Sequence, residues 1–173
     1  MTFDPQRHHR QSIRLPGYDY AQPAAYFVTV VTQGRERLLG RSENGEVQLS
    51  DAGRMVDACW HELGHFETVE ADAFIVMPNH VYGVLVLREA RGGHAGPPLP
   101  AIIRGFKSMT TNAYIKGVKE HGWQPFDRRF WQRGYYEHVI RDEEDLRRVR
   151  EYIVSNPARW HDDPENLNAQ GRP

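Results

Sequence analysis

The sequence has little cysteine, no long apolar run and almost no net charge, and each shortage excludes a class of protein. Cys59 is the single cysteine in 173 residues, so no internal disulfide can form, as is usual in the cytoplasm. No stretch approaches the roughly 20 apolar residues of a membrane-spanning helix, and residues 1–10 lack the apolar core of a signal peptide. A formal charge of −1 argues against indiscriminate nucleic-acid binding.

What is present fits one cytoplasmic domain over residues 1–173. The apolar fraction of 39% and the charged fraction of 26% are ordinary for a globular protein. Residues 1–22 are polar and predict an N-terminal arm, and residues 161–173 predict a frayed polar tail. There is no internal repeat. A prokaryotic cytoplasm is the expected location.

The charges are unevenly distributed. Residues 104–150 contain eleven Lys or Arg against seven Asp or Glu, a local balance of +4. A basic face on a nearly neutral protein suits a local phosphate partner. The same charges also suit a solvated helical surface, and charge alone does not decide between the two.

Hydrophobic periodicity predicts alternating strands and helices. The predicted strands are 25–32, 69–77, 81–87 and two short ones at 47–49 and 130–132, and the predicted helices are 51–66, 100–118 and 143–155. Tyr135–Ile140 is ambiguous and is interpreted as a short helix. The order β-α-β-β-α-β predicts an α+β, ferredoxin-like fold, with an antiparallel sheet, helices on one face and further C-terminal helices.

Two segments contain side chains suited to chemistry. His80 starts a strand directly after the turn Pro78-Asn79, and on a helix Tyr135 and His138 would share one face. Two histidines and a tyrosine from separate elements could bind a divalent ion and present a nucleophile. A phenol, with a pKa near 10, would need a phosphate that a cation has polarised. The alternatives are a hydrogen-bonded core histidine and an ordinary Tyr–His pair at the core edge.

These segments resemble one protein family. Met77–Tyr82 resembles the His-apolar-His ("HUH") motif of single-tyrosine transposases, and Trp131–Arg141 resembles the tyrosine segment of their REP-associated branch. The resemblance extends to five further segments, namely Arg14–Tyr20, Ala25–Thr29, Asp51–Met55, Gly105–Ser108 and Tyr152–Pro157. It therefore covers nearly the whole chain.

The resemblance implies a fold, a partner and a reaction. Family members have a ferredoxin-like core, pair as homodimers and bind imperfect hairpins in single-stranded DNA. A divalent metal, Mg or Mn, polarises the scissile phosphate. The tyrosine attacks this phosphate and leaves a 5′-phosphotyrosine link and a free 3′-OH, which can later reseal the strand.

The same resemblance implies roles for particular residues. Tyr135 is the expected nucleophile, with Tyr136 as the second choice, and His80 and His138 are expected metal ligands. The expected DNA contacts are basic and lie in the arm, the second long helix and the tyrosine segment: Arg10, Arg14, Arg104, Lys107 and Arg133. Trp131 is expected to be a core residue, or else a support for the site or a base-stacking platform.

The sequence departs from the family motif at Tyr82, which stands where the second histidine is expected. Residues 80 and 82 of a strand face the same side, so Tyr82 still points into the predicted site and is kept as a metal-site residue. A neutral phenol is a poor ligand for a hard cation, so weaker metal binding is expected, or replacement by Glu137 or water.

Three functions therefore stay open at this stage. The first is a metal-dependent enzyme that cleaves and rejoins single-stranded DNA. The second is a catalytically weak or inactive relative that still binds DNA hairpins. The third is an RNA-binding module on the same fold, which is disfavoured because its strands would need exposed aromatic residues.

Overall fold

The computed structural model describes residues 17, 19–20 and 22–168 of the chain. Four strands form the main sheet, in the order β4-β5-β1-β6. Their bounds are Ala24–Val31 for β1, Val69–Val76 for β4, His80–Leu87 for β5 and Tyr136–Ile140 for β6. All neighbouring pairs are antiparallel. This topology confirms the predicted α+β, ferredoxin-like fold.

Three helices and a small hairpin complete the fold. The helices are α1 at Asp51–Leu63, α2 at Leu99–His121 and α3 at Glu143–Ser155. The hairpin pairs β2 at Gly40–Glu43 with β3 at Glu46–Leu49, and 3-10 turns cover Gln33–Arg35 and Pro157–Asp162. Within the described residues, no helix is both long and apolar enough to cross a membrane.

Side-chain caps mark the beginnings of α1 and α3. Ser50 Oγ accepts a hydrogen bond from the Gly53 amide at 3.0 Å, at the beginning of α1. The Asp142 carboxylate accepts one from the Asp145 amide at 2.8 Å, at the beginning of α3. Each cap satisfies an amide that the first turn of a helix would otherwise leave unpaired.

One face of the sheet packs against α1 and α2 through an aromatic core. The Trp60 indole stacks on Phe74 with ring centroids 4.5 Å apart and meets Phe106 edge-on at 5.3 Å. Gly83 of β5 lies directly below Trp60, and a Cβ atom there would overlap the indole ring. A glycine is therefore needed at this position to let the ring approach the sheet.

The opposite face packs against α3 and the 3-10 turn that follows it. Its core includes Phe27, Tyr82, Val149, Ile153 and Trp160. His80 and Tyr82 occupy alternate positions of β5 and face this side. The sheet therefore lies between two cores of different composition.

The segment predicted as a short helix at 135–140 is instead the edge strand β6. Tyr136–Ile140 pairs with β1, with Tyr136 opposite Thr29 and Ile140 opposite Ala25. Aromatic and β-branched residues favour strands, and pairing with β1 decides the conformation. The predicted strand at 130–132 is reduced to one bridge between Thr32 and Trp131.

Candidate active site and nucleic-acid interface

His80 is completely buried at the start of β5. Its Nδ1 atom is 2.8 Å from Asn79 Oδ1. Its Nε2 atom makes no hydrogen bond and lies 3.6 Å from Asp163 Oδ2. The imidazole therefore presents one nitrogen to a carboxylate in a site from which water is excluded.

Tyr82 connects this carboxylate to a second tyrosine. Its hydroxyl donates to Asp163 Oδ2 at 3.2 Å and accepts from the Tyr152 hydroxyl at 3.1 Å. The Tyr82 ring also lies against His80, with centroids 4.3 Å apart. His80, Tyr82, Tyr152 and Asp163 thus form one cluster, called the His80 cluster below.

The C-terminal segment supplies Asp163 and closes this cluster. Trp160 covers His80, with ring centroids 6.1 Å apart. The Asn79 side chain donates to the Glu165 carbonyl at 2.8 Å, and the Asn166 side chain donates to the Trp160 carbonyl at 2.9 Å. The predicted fraying of the tail from His161 is therefore wrong as far as residue 168, because buried polar contacts hold this segment.

Burial sets the charges of the His80 cluster. It lowers the pKa of His80 to about 3, so the imidazole is neutral at pH 7. It raises the pKa of Asp163 to about 6, which leaves the carboxyl close to its titration point near neutral pH. The pKa values of Tyr82 and Tyr152 are also raised, chiefly by burial.

Tyr135, the expected nucleophile, lies on the other side of the sheet. It directly precedes β6 and packs against the α1/α2 core, with Lys107 Nζ 5.7 Å above its ring. Alternation along the strand puts Tyr136 and His138 on the α3 face instead. The expectation that Tyr135 and His138 share a face is wrong, because it depended on a helix.

His138 is distant from His80 although both face α3. His80 is paired with Val31 of β1 and His138 with Phe27, four residues away. At about 3.3 Å per residue, the two histidines are roughly 13 Å apart along the direction of the strands. The strand β1 also lies between β5 and β6, which contain them. The His138 Nε2 atom is 2.8 Å from Asp145 Oδ2 instead. The three expected metal-site residues, His80, Tyr82 and His138, are therefore not brought together.

The His80 cluster does not fit a divalent metal as it stands. In the chain from residue 22 to residue 168, no group of three or more His, Cys, Asp and Glu side chains could hold a metal ion. His80 and Asp163 offer two donors, and the third neighbour, Tyr82, is a phenol whose pKa is raised further. The Mg or Mn site that the resemblance implies thus lacks a third ligand among the described residues.

The expected DNA contacts fall into three groups. Arg104 and Arg133 are exposed and form no ion pair with any described carboxylate. Lys107 is largely buried, and its Nζ atom donates to the carbonyls of Gln132 at 2.9 Å and Gly134 at 2.6 Å. It therefore holds a loop in place and does not face solvent as a phosphate contact would. Arg10 and Arg14 lie outside the described residues.

Tyr152 and Asp163 are the site residues that sequence reasoning missed. The apolar residues Val149 and Ile153 mark the buried side of α3, and Tyr152 is three residues after Val149. That spacing predicts a side chain directed at the sheet. Asp163 is likewise three residues after the buried Trp160.

The chain is similar in sequence to proteins of known sequence in one bacterium. The chain is 36% identical over 173 residues to an uncharacterized protein of Haemophilus influenzae, with 90% of this chain and 92% of that protein covered. It is 27% identical over 144 residues to a protein of the same organism provisionally assigned as a REP-associated tyrosine transposase, covering 82% and 74%. No protein-family model matches the sequence.

A solved structure shares the fold. It is the REP-associated tyrosine transposase bound to a REP hairpin, with a TM-score of 0.58, 20% identity, and coverage of 86% of this chain and 74% of that one. The chain thus shares the ferredoxin-like fold of that transposase and is similar in sequence to the protein provisionally assigned to the same family.

Proposed function

We propose that this protein binds hairpin-forming single-stranded DNA. A relative with the same fold is described as bound to a REP hairpin. In this chain, the observation that supports the proposal is the exposure of Arg104 and Arg133, neither of which pairs with a carboxylate of the described residues. Arginines that no carboxylate neutralises are available to phosphate groups, which dominate the affinity of DNA-binding proteins.

The binding test compares three nucleic acids at fixed salt. Fluorescence anisotropy with labelled hairpin single-stranded DNA, an unstructured strand of equal length and duplex DNA should give the tightest binding for the hairpin. RNA of the same hairpin sequence serves as the control for the RNA-binding alternative. Equal affinity for all four molecules would contradict the proposal.

The homodimer stays a prediction, which sedimentation of the free protein checks.

Strand cleavage is a second candidate function, and the position of Tyr152 favours it. Tyr152 lies on a helix, faces the same side as His80, and donates through Tyr82 toward the Asp163 carboxylate. In the proposed step the Tyr152 oxygen bonds to phosphorus while the bond from phosphorus to the 3′ oxygen breaks. The phenolic proton passes through the Tyr82 hydroxyl to the Asp163 carboxylate, and the 3′ oxygen takes up a proton from water.

The two tyrosines are separated by matched Phe variants. The wild type, Tyr135→Phe and Tyr152→Phe are incubated with end-labelled hairpin DNA and run on a denaturing gel, with Mg, with Mn and with chelator. We expect any protein-linked band to disappear in Tyr152→Phe and to persist in Tyr135→Phe. The reverse pattern would assign the nucleophile to Tyr135, as the resemblance implies. Tight hairpin binding without a band from the wild type would favour a binding protein that lacks the cleavage activity.

A further inference from the structure

Residues 122–134 return alongside α2 in the opposite direction and are held there by side chains of the helix. Three hydrogen bonds, spaced along α2, make the attachment: Tyr114 Oη to the Gln124 carbonyl at 2.8 Å, Trp131 Nε1 to Thr110 Oγ1 at 2.8 Å, and Lys107 Nζ to the Gly134 carbonyl at 2.6 Å. The loop is therefore a fixed edge of the molecule.

This edge has a charge unlike that of the rest of the chain. Residues 99–134 contain seven Lys or Arg and two Asp or Glu, a balance of +5. Because the whole chain carries −1, the remaining residues carry −6. Net positive charge concentrated in one helix and its return loop creates a local field that attracts anions.

Four exposed arginines lie on this edge. Arg104, Arg129 and Arg133 are exposed and pair with no described carboxylate. Arg128 reaches only its neighbour Asp127, at 3.9 Å, and both side chains are more than four-fifths exposed, so this pair contributes little. Elsewhere, several exposed arginines are matched with acids, among them Arg88 with Glu70, Arg91 with Glu67 and Arg147 with Glu151. Arg37, Arg141 and Arg159 are exposed and pair with no described carboxylate, but they lie apart from this edge in the sequence.

The edge ends at the end of β1 that pairs with the start of β5. The Gln132 amide donates to the Val31 carbonyl at 2.9 Å, and the Gln33 amide donates to the Phe130 carbonyl at 2.9 Å. Val31 is the β1 residue paired with His80. A strand bound along the loop would thus arrive at the same end of the sheet as His80.

We propose that Arg104, Arg128, Arg129 and Arg133 form a rim that binds the phosphates of one strand of the hairpin stem. This inference rests on the proposed hairpin binding and specifies its surface. The loop is attached to α2 from Tyr114 to Lys107, a rise of about 10 Å at 1.5 Å per residue. One strand of a duplex presents a phosphate every ~3.4 Å along the axis, so this length corresponds to about three phosphates. Lys107 and Trp131 act as positioning residues that hold the loop.

The test measures the salt dependence of DNA binding. Hairpin affinity is determined by anisotropy at NaCl concentrations from low to physiological for the wild type and two double variants. Arg129→Ala/Arg133→Ala removes two rim charges. Arg88→Ala/Arg91→Ala removes two paired charges at the opposite end of β5 and is the matched control. Thermal melting of all three proteins checks that the fold is retained.

We expect the rim variant to lower the slope of log K against log salt by about 1.8, near 0.9 for each lost phosphate contact. Its affinity at physiological salt should fall about tenfold or more. The control should keep the wild-type slope. Equal slopes for the rim variant and the wild type would overturn the rim while leaving hairpin binding intact.

Binding to duplex DNA distinguishes a failure of the rim from a failure of the proposed hairpin binding. If the wild type prefers duplex to hairpin and the rim variant loses that binding, the rim stands and the proposed hairpin function fails. Failure of the wild type to bind any DNA at low salt would overturn both.

Discussion

The two faces of the sheet are packed in different ways. Under α1 and α2 the contacts are apolar and aromatic, with Trp60 between Phe74 and Phe106. Under α3 the core includes His80 and Asp163, whose side chains are fully buried and whose charged forms burial disfavours. Buried ionisable groups reduce stability unless they are well paired. The first face therefore stabilises the fold, and the second retains polar groups at an energetic cost, which is typical of a functional site.

The largest expected effect concerns the apolar face. Gly83→Ala places a methyl group into the indole ring of Trp60, which is itself packed on Phe74 and Phe106. Overpacking of this kind costs about 1–3 kcal/mol, and we expect a value near the upper end because the aromatic neighbours leave the ring no room to move. Urea denaturation gives the free energy of unfolding.

Gly105→Ala is the matched control for this substitution. Gly105 lies on the exposed side of α2, with nothing within 4 Å of the added methyl group. Alanine should stabilise the helix there by about 0.5–1 kcal/mol. The same change should therefore have opposite signs at the two positions. A destabilised Gly105→Ala, or a neutral Gly83→Ala, would contradict this account of the packing.

The polar face should dominate the pH dependence of stability between pH 4 and 6.5. The folded pKa of His80 is lowered from 6.5 to about 3, so its contribution to stability is lost as the pH falls through this window. The folded pKa of Asp163 is raised from 3.8 to about 6, so its contribution is present at low pH and is lost as the pH rises toward 6. The two contributions oppose each other.

Asp163→Asn removes one of these opposing contributions. The variant should lose stability on acidification from pH 6.5 to 4 more steeply than the wild type, by about 2–3 kcal/mol, since each pKa unit is worth ~1.4 kcal/mol. Asp162→Asn, at the exposed neighbouring position, is the control and should keep the wild-type profile. Urea denaturation at a series of pH values gives the comparison, and parallel profiles for Asp163→Asn and the wild type would show that the carboxyl group does not titrate as proposed.

Much of the apolar face could be predicted from the sequence. The strands that contain Val28 and Leu85 are mostly apolar, and the sequence predicts helix caps at Asp142 and at either Ser50 or Asp51. These signals are local. The sequence predicts a helix where the structure has β6. Only five residues lie between Tyr136 and Asp142, too few to show whether apolar residues recur at the spacing of a helix or of a strand. Its pairing with β1 is a contact between residues more than 100 positions apart.

The packing of the polar face could not be predicted from the sequence, because it depends on contacts between residues that are far apart in the chain. Residues from His161 onward have the composition of a frayed tail, yet Asp163 and Asn166 are buried. Hydrogen bonds to Asn79 and Tyr82, more than 80 positions earlier, hold the segment. The apolar runs around the turn Pro78-Asn79 correctly predict His80 at the start of a central strand. The resemblance implies Tyr135 as the nucleophile, with Tyr136 as the second choice, and the sequence alone does not show which side of the sheet a tyrosine occupies.

The smallest expected effect tests whether the polar face lacks only one metal ligand. Tyr82→His would place a second imidazole beside His80 and Asp163. The two side chains that can now bind a metal, His80 and Asp163, would then become three. We expect the melting temperature of the variant, and not that of the wild type, to rise with Mn. At a metal concentration about five times its Kd, linkage predicts a gain of about 1 kcal/mol. His138→Asn in the Tyr82→His background is the control and should keep the Mn response, because His138 is bonded to Asp145 at a distant level of the sheet. A Mn response in the wild type would mean that Tyr82 or Asp163 already completes a site, and the contrast between the two faces would then include a bound cation.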